Sequence, residues 1–369
     1  MGWGNYNVDR HPRVGIILDG LRDAGDHVVE INRPTRATTE RRVRALTDPR
    51  TILSPIKTLS QSWWRLWRRA RHERKGRAYD AMLIGYMGHF DVIVARMLFP
   101  RTTIVLDHLI FAADTARDRG EGGSLLRALL TVLDRWAIAS ASIVMVDTEE
   151  HFAALPKRAR RKGVVVPVGA RGEWIAAAEA RVPRKAQAPL SVVFYGHFTP
   201  LQGAPVITEA LRILDARGVK VRATMIGSGQ DHESARALAG DAPIDWVDWV
   251  EPHELPALVA THDVCLGIFG TSNKAHNVVP NKVYQGLAAG CVVVTSDTAP
   301  QRRALDDVPT FVPPGDPEAL ADALADLAAA KPGVIASRGR ASAALAQARF
   351  SPLGVATPVR DALLNGRSR

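Results

Sequence analysis

The chain has 369 residues, 46% apolar and 23% charged, which describes a globular protein long enough for two domains, each with its own core. Its net charge of +10 and sequence pI of about 10.0 suggest an acidic partner, and charge alone leaves open a phosphate ligand, nucleic acid or an anionic membrane surface. The two cysteines, Cys265 and Cys291, sit in apolar runs without metal-ligand spacing, no stretch approaches the roughly eighteen apolar residues of a membrane span, and no signal-peptide core is present; a disulfide scaffold and a transmembrane protein are excluded and a cytoplasmic setting is expected.

From the N-terminus, Gly2-Trp3-Gly4-Asn5 reads as a glycine-containing loop with no strand before it. Asp9 is placed to cap a helix from Arg10 to about Ala24, with Val14, Ile17, Leu18 and Leu21 on one face and Gly25 closing it. A strand over His27 to Ile31 follows.

The next helical pattern, Ser54 to Gly76, has an unusual composition. Leu59, Trp63, Trp67 and Ala70 share one face, Trp64 and Leu66 flank it, and Lys57, Arg65, Arg68, Arg69, Arg71, Arg74, Lys75 and Arg77 supply the rest. Aromatic insertion on one side and arginines on the other suit a helix lying on an anionic bilayer. The alternatives are tryptophans packed on the domain or on a second copy, with solvated arginines; nucleic acid is not expected, because no groove-reading or RNA-binding motif is present.

Ala81 to Tyr86 is a strand, Asp91 to Leu98 a helix and Thr103 to Leu106 a strand that ends at Asp107-His108. In open α/β sheets ligands meet the carboxyl ends of strands, which places these two residues well for a site. Asp107 suits an acceptor base or a cap, and His108 a sugar-hydroxyl contact or a satisfied structural role. Ser124 to Ala141 is an amphipathic helix, Ser142 to Val146 and Val164 to Val168 are strands, and a short helix starts at Thr148 between them. Five strands alternating with helices make a doubly wound sheet.

The polar, proline-bearing stretch Arg181 to Pro189 marks the domain boundary, giving domains 1–182 and 183–350 and a C-terminal segment 351–369. Strands follow over Leu190 to Tyr195, Lys220 to Ile226, Trp246 to Val250, Val264 to Phe269, Val292 to Thr295 and Phe311 to Gly315, with helices over Pro205 to Arg217 and Pro317 to Ala329. Between the fourth and fifth of these strands, a Gly/Ser/Asn loop leads into a helix that opens at Pro280-Asn281, with Val283, Leu287 and Ala288 on one face. A helix start facing a polar loop offers free N–H groups and the positive end of the dipole to an anion, and Lys274 and Lys282 add charge. An ordinary βαβ unit with solvated lysines is the alternative.

The run KAHNVVPNKVYQGLAAGCVVVTSD, Lys274 to Asp297, resembles the donor-site motif of GT-B glycosyltransferases of family 4. The resemblance covers most of the chain from about residue 9, more closely in the second domain. It implies two Rossmann-like doubly wound α/β domains facing each other across a cleft, with the last segment crossing back to the first domain. It also implies transfer of a sugar from a nucleoside-diphosphate sugar, with retention of configuration, and no required metal or other cofactor. The glycine loop at Gly4-Asn5 resembles one that follows a central first strand in that family, so the first strand looks missing or truncated.

Site residues follow by the same resemblance. Family members carry E-x7-E before the glycine turn, and the matching positions here are the amides Asn277 and Gln285, which still hydrogen-bond hydroxyls but without charge assistance. Gly196-His197-Phe198-Thr199-Pro200-Leu201-Gln202-Gly203 resembles a G-R-L-x-P-x-K-G diphosphate loop, with His197 and Gln202 in place of the two cations. Gly227-Ser228-Gly229 and Trp249 or Val250 correspond to the nucleobase surroundings; Pro280, Asn281, Lys274 and Lys282 would meet the diphosphate. On the acceptor side the matches are Gly4, Asn5, Asp114, Thr115, Asp118 and Arg119, with Asp107 and His108 at the strand end. If the Trp/Arg helix touches membrane, the expected acceptor is lipid-linked, at the inner face. The accumulated departures support a second class, a non-catalytic binding or scaffold subunit on the same fold. A dinucleotide oxidoreductase is disfavoured, since no G-x-G-x-x-G follows a first strand.

Overall fold

The computed structural model describes residues 1–8, 12–33, 53–73, 79–109, 111, 124–182 and 184–367. The chain divides into two compact units, Met1–Val166 with Ala356–Arg369, and Pro167–Val355.

The first unit holds a six-stranded parallel sheet in the order β2-β1-β3-β4-β5-β6. Its strands are β1 Gly2–Gly4, β2 Glu30–Asn32, β3 Ala81–Ile84, β4 Thr103–Asp107, β5 Ile143–Val146 and β6 Gly163–Val165. The sheet is therefore complete, and the stretch that reads as a bare loop is its first strand. Gly2 N donates to Val29 O, Leu83 N donates to Met1 O, and Trp3 is fully buried between Ile31 and Ile84 as cross-strand neighbours. The glycines are there because of crowding: a Cβ on Gly2 would lie 2.6 Å from the Tyr6 hydroxyl and one on Gly4 2.8 Å from Asp91 Oδ2. Two glycines and a tryptophan carry little strand propensity, so nothing in the local pattern marks this element.

The helices of this unit are α1 Arg13–Asp23, α2 Leu53–Glu73, α3 His89–Leu98, α4 Ser124–Ser140 and α5 Glu149–Ala154. α1 begins at Arg13, with Pro12 at the cap position; Asp9 and Arg10 lie outside the described residues. Its apolar face includes the expected Val14, Ile17 and Leu18, all buried. The steps from β2 to β3, β3 to β4 and β4 to β5 all run the same way across the sheet, so right-handed crossovers put α2, α3 and α4 on one face. Leu66 and Ala70 of α2, Val92 and Ala95 of α3, and Ala137 and Ile138 of α4 all enter the same core.

The second unit has strands β7 Leu190–Tyr195, β8 Val221–Ile226, β9 Ile244–Val247, β10 Val264–Leu266, β11 Val292–Ser296 and β12 Thr310–Val312, paired in parallel in the order β12-β11-β10-β7-β8-β9. Its helices are α6 Gly172–Glu179, α7 Ala204–Ala216, α8 His232–Ala239, α9 Leu255–Ala260, α10 Asn281–Ala288, α11 Ala299–Leu305, α12 Pro317–Ala329 and α13 Pro332–Leu345. α14, Pro352–Arg367, passes from the second unit into the first. The division thus falls ahead of the proline-bearing stretch that the sequence suggests. α6 belongs to the second unit because Trp174 is buried and stacks on Tyr195 of β7 at 5.9 Å. Arg181 ties the following turn down by donating to Ala260 O and His262 O.

Candidate functional site

β7 is the centre of the second sheet, and the chain runs outward from it through β8 and β9 before β10 starts on its other side. The topological switch point of this open sheet therefore lies between β7 and β10, where parallel sheets take ligands at the carboxyl ends. The loop after β7, Gly196 to Gly203, fills that position. It is fastened on one side by Gly196 N donating to Ile226 O and Phe198 N to Ser228 O, and on the other by Phe269 N donating to Gln202 O. Such close backbone approach requires glycine: a Cβ on Gly227 would sit 2.1 Å from Gly196 O, and one on Gly203 2.6 Å from the carbonyl carbon of Phe269.

Pro280 is extended and α10 starts at the next residue, so the proline occupies the cap rather than the first turn. Lys282 lies in that first turn, and its side chain runs inward rather than into solvent. The residue is 5% exposed, its ammonium donates to Gln202 Oε1 and stands 3.7 Å from the Phe194 ring centroid. A Cβ built on Gly196 would be 3.2 Å from Nζ, so the ammonium lies directly under the bare backbone of the loop. Burial lowers its pKa to about 7. The amide at 202, which replaces the cation of the resembled loop, is the acceptor that orients this lysine; a second cation there would repel it.

Other expected donor-side residues are placed with less direct roles. Tyr195 donates its hydroxyl to Gln285 Oε1 at 3.0 Å, and Asn277, in a 3-10 turn, donates Nδ2 to Asn273 O at 2.8 Å. Lys274 is half-buried at the start of that turn. His197, Ser228 and Asn281 are exposed, and Gly229 approaches the Phe198 backbone. β9 ends at Val247, short of the expected Val250. Trp249 lies beyond it, exposed, with Nε1 donating to Glu251. Phe194 and Tyr195, whose rings lie 3.7 and 6.0 Å from the Lys282 ammonium, are neighbours that sequence reasoning misses, because inside a strand they read as core.

In the first unit, Asp107 ends β4 and is buried against Arg13, whose Nε is 3.5 Å from Asp107 Oδ1. Arg13 also donates to Val146 O and Val166 O, joining α1 to the ends of β5 and β6. Burial raises the Asp107 pKa and outweighs the guanidinium. His108 is 1% exposed, with neither ring nitrogen hydrogen-bonded among the described residues, and lies edge-on to His89 and Phe111 at 5.3 and 4.6 Å. Its pKa falls to about 3, chiefly through burial, so the ring is neutral. His89 Nε2 and Asp134 Oδ1 are 2.9 Å apart, and one ligand atom from each of His89, His108 and Asp134 falls within 4.8 Å of the others. The sequence scatters these three and suggests no metal site; the fold brings them together.

Gly4 and Asn5 belong to a second polar knot. Asn5 donates its backbone N and its Nδ2 to the two oxygens of Asp91, at 2.9 and 3.0 Å, Ser62 donates to Asn5 Oδ1, and Trp63 Nε1 donates to Asp91 Oδ1 at 2.7 Å. Trp63 is thus turned inward, and Trp67 packs against the core. Trp64 is the exposed member, with Arg68 stacked over it at 4.7 Å, and Arg65 and Arg69 are exposed beside it. Asp114, Thr115, Asp118 and Arg119 lie outside the described residues.

Residues 189–330 match the family described as Glycosyl transferases group 1. A comparison with curated protein sequences finds no match. Among solved structures, the sucrose-phosphate synthase of Thermosynechococcus elongatus is similar, with 16% identity over 96% of this chain and 92% of that one at a TM-score of 0.63. Anabaena HepE in complex with UDP has 13% identity over 99% and 98% at 0.64. A UDP-forming trehalose-phosphate synthase of Burkholderia xenovorans has 15% identity over 84% and 80% at 0.60. At these identities the likeness is one of fold, and the chain has the two-domain α/β architecture of GT-B glycosyltransferases, with a group 1 match confined to its second unit.

Proposed function

We propose that the protein transfers a sugar from a nucleoside-diphosphate sugar, with retention of configuration, as in family 4. The observation that carries the reading is the Lys282 ammonium, held by Gln202 beneath Gly196 at the switch point of a domain matching the group 1 family. A diphosphate on this loop meets backbone N–H groups, the start of α10 and one buried cation, the electrostatic set that stabilises a departing nucleotide. HepE, similar over the whole chain, is in complex with UDP and with UDP-glucose, which favours a uridine donor. The sugar-hydroxyl contact expected of His108 gains no support from its setting, since both ring nitrogens are shut off from solvent. The acceptor is lipid-linked or a cell-envelope saccharide in this reading, supported by the basic surplus. No metal takes part, and the site is cytoplasmic.

The test is a thermal-shift and calorimetric screen with UDP, GDP, ADP and dTDP. A raised melting temperature with one nucleotide, lost in Lys282→Met, is expected, because a ligand that binds only the native state stabilises it by mass action. No shift with any of them overturns the reading.

A second reading, a nucleotide-binding subunit without transfer, is favoured by one observation. Gln285 and Asn277, standing where the resemblance expects glutamates, are both engaged in internal hydrogen bonds. Nucleotide binding with neither donor hydrolysis nor transfer would select it.

A further inference from the structure

Half of the strongly exposed large apolar residues among the described positions lie on three neighbouring helices. They are Trp64 on α2, Phe90 and Met97 on α3, and Leu129, Val132 and Trp136 on α4. α3 packs against both α2 and α4, and all three cover one face of the first sheet, so their outer sides form one surface. On each helix the exposed positions follow helical spacing: Phe90 and Met97 are two turns apart, and Leu129, Val132 and Trp136 stand at i, i+3 and i+7. These helices have already buried a separate apolar face in the core. The outward stripe is therefore a second one, which folding of this unit does not require.

Its charge is predominantly positive. Arg68, Arg127 and Arg135 stand exposed among these side chains, with Arg65, Arg69 and Arg71 on the same helix as Trp64. Among the described residues of the three helices the carboxylates are Asp91 and Asp134, both buried, and Glu73, which lies 4.0 Å from Arg69. A second copy of this chain would bring like charge against like charge. A bilayer with anionic headgroups complements both features, since the arginines meet lipid phosphate while the tryptophans and Met97 enter the interface.

We infer that the outer face of α2, α3 and α4 docks the protein on an anionic membrane surface. The contact differs from the one the sequence suggests, because Trp63 and Trp67 are half-buried against the core and Trp64 is the exposed member of that trio. The surface uses no residue assigned to the donor loops, so this inference and the nucleotide reading can fail separately.

Cosedimentation of the full chain with vesicles tests it. The protein should pellet with vesicles containing phosphatidylglycerol and stay in solution with pure phosphatidylcholine, and high salt should weaken the binding. Replacing Trp64, Met97 and Trp136 together by glutamate should reduce partitioning at least about tenfold, since each cation near such a surface is itself worth about fivefold. Melting temperature and nucleotide response should be unchanged, because all three side chains are more than half exposed. Leu238→Glu, an exposed apolar position on the second unit, should leave partitioning intact. Failure of the wild type to pellet with anionic vesicles, or pelleting of the triple variant like wild type, overturns the inference. So does a concentration-dependent dimer that the triple variant abolishes without any vesicle binding.

Discussion

The Lys282 ammonium stands over the face of Phe194, 3.7 Å from the ring centroid, in a site only 5% exposed. An aromatic face and one amide oxygen replace little of the water such a cation loses, and burial brings its pKa from 10.5 to about 7. The unfolded chain keeps this proton up to about pH 10.5 and the folded chain releases it near 7. Between those values the unfolded state binds more protons, so this lysine makes stability rise with pH across that window. Lys282→Met should flatten the slope and raise the melting temperature below pH 7, because it removes a desolvated charge.

Binding has the opposite dependence. A diphosphate favours the ammonium, so above about pH 7 the nucleotide must bind together with a proton. Affinity should fall by up to about tenfold per pH unit above that point. Titration calorimetry in buffers of different ionisation enthalpy should show proton uptake, and Lys282→Met should lose both the uptake and most of the affinity. A pH-independent affinity would place the anion away from this lysine.

The glycines of the second unit separate close backbone approach from mere flexibility. Gly227 has φ +119° and its Cβ would meet Gly196 O at 2.1 Å, while Gly203 has φ +70° and would meet the Phe269 backbone at 2.6 Å. Backbone cannot swing aside, so Gly227→Ala and Gly203→Ala should each destabilise by at least about 1–3 kcal/mol and misplace the donor loop. Gly333 lies in α13, and a Cβ there would have no neighbour within 4 Å. Gly333→Ala should be neutral or stabilising by up to about 1 kcal/mol. Chemical denaturation of the three variants checks the ranking.

These positions also show what sequence reasoning reaches. The βα alternation, the loop after β7 and the helix opening at Asn281 are legible because branched apolar runs, glycine turns and a proline are local signals. β1 is not legible, since Trp3 is held as strand by partners at Ile31 and Ile84, far along the chain. The cluster of His89, His108 and Asp134 is invisible for the same reason, as its members come from α3, the end of β4 and α4. The inward turn of Trp63 depends on Asp91, and helical spacing alone groups that tryptophan with Leu59, Trp67 and Ala70 without deciding whether their face meets the domain or a membrane.

Asp91 should be among the most sensitive residues of the first unit. Its carboxylate accepts from Asn5 N, Asn5 Nδ2 and Trp63 Nε1, joining β1, α2 and α3. Asp91→Ala strands these donors in a buried setting, at a cost of about 3 kcal/mol or more. Asp91→Asn, which keeps one acceptor oxygen, should cost less. Unfolding midpoints give the order, and a red shift in tryptophan emission in the alanine variant would report the release of Trp63. Equal stability of all three proteins would show that the knot contributes nothing.

The grouping of His89, His108 and Asp134 allows a direct test of whether transfer needs a metal. In the proposed mechanism the departing diphosphate meets Lys282 and the start of α10, and no step uses this cluster. Prolonged treatment with a strong chelator should therefore leave the transfer rate unchanged, while His108→Ala, which removes a buried ring packed on His89 and Phe111, should lower the melting temperature. Asp134→Asn, which preserves an oxygen toward His89, should keep most of the activity if Asp134 only positions that ring. Loss of activity on chelation with recovery on adding a divalent cation, together with a collapse in Asp134→Asn, would instead make these three side chains metal ligands, two imidazoles and a carboxylate being a familiar donor set for transition metals.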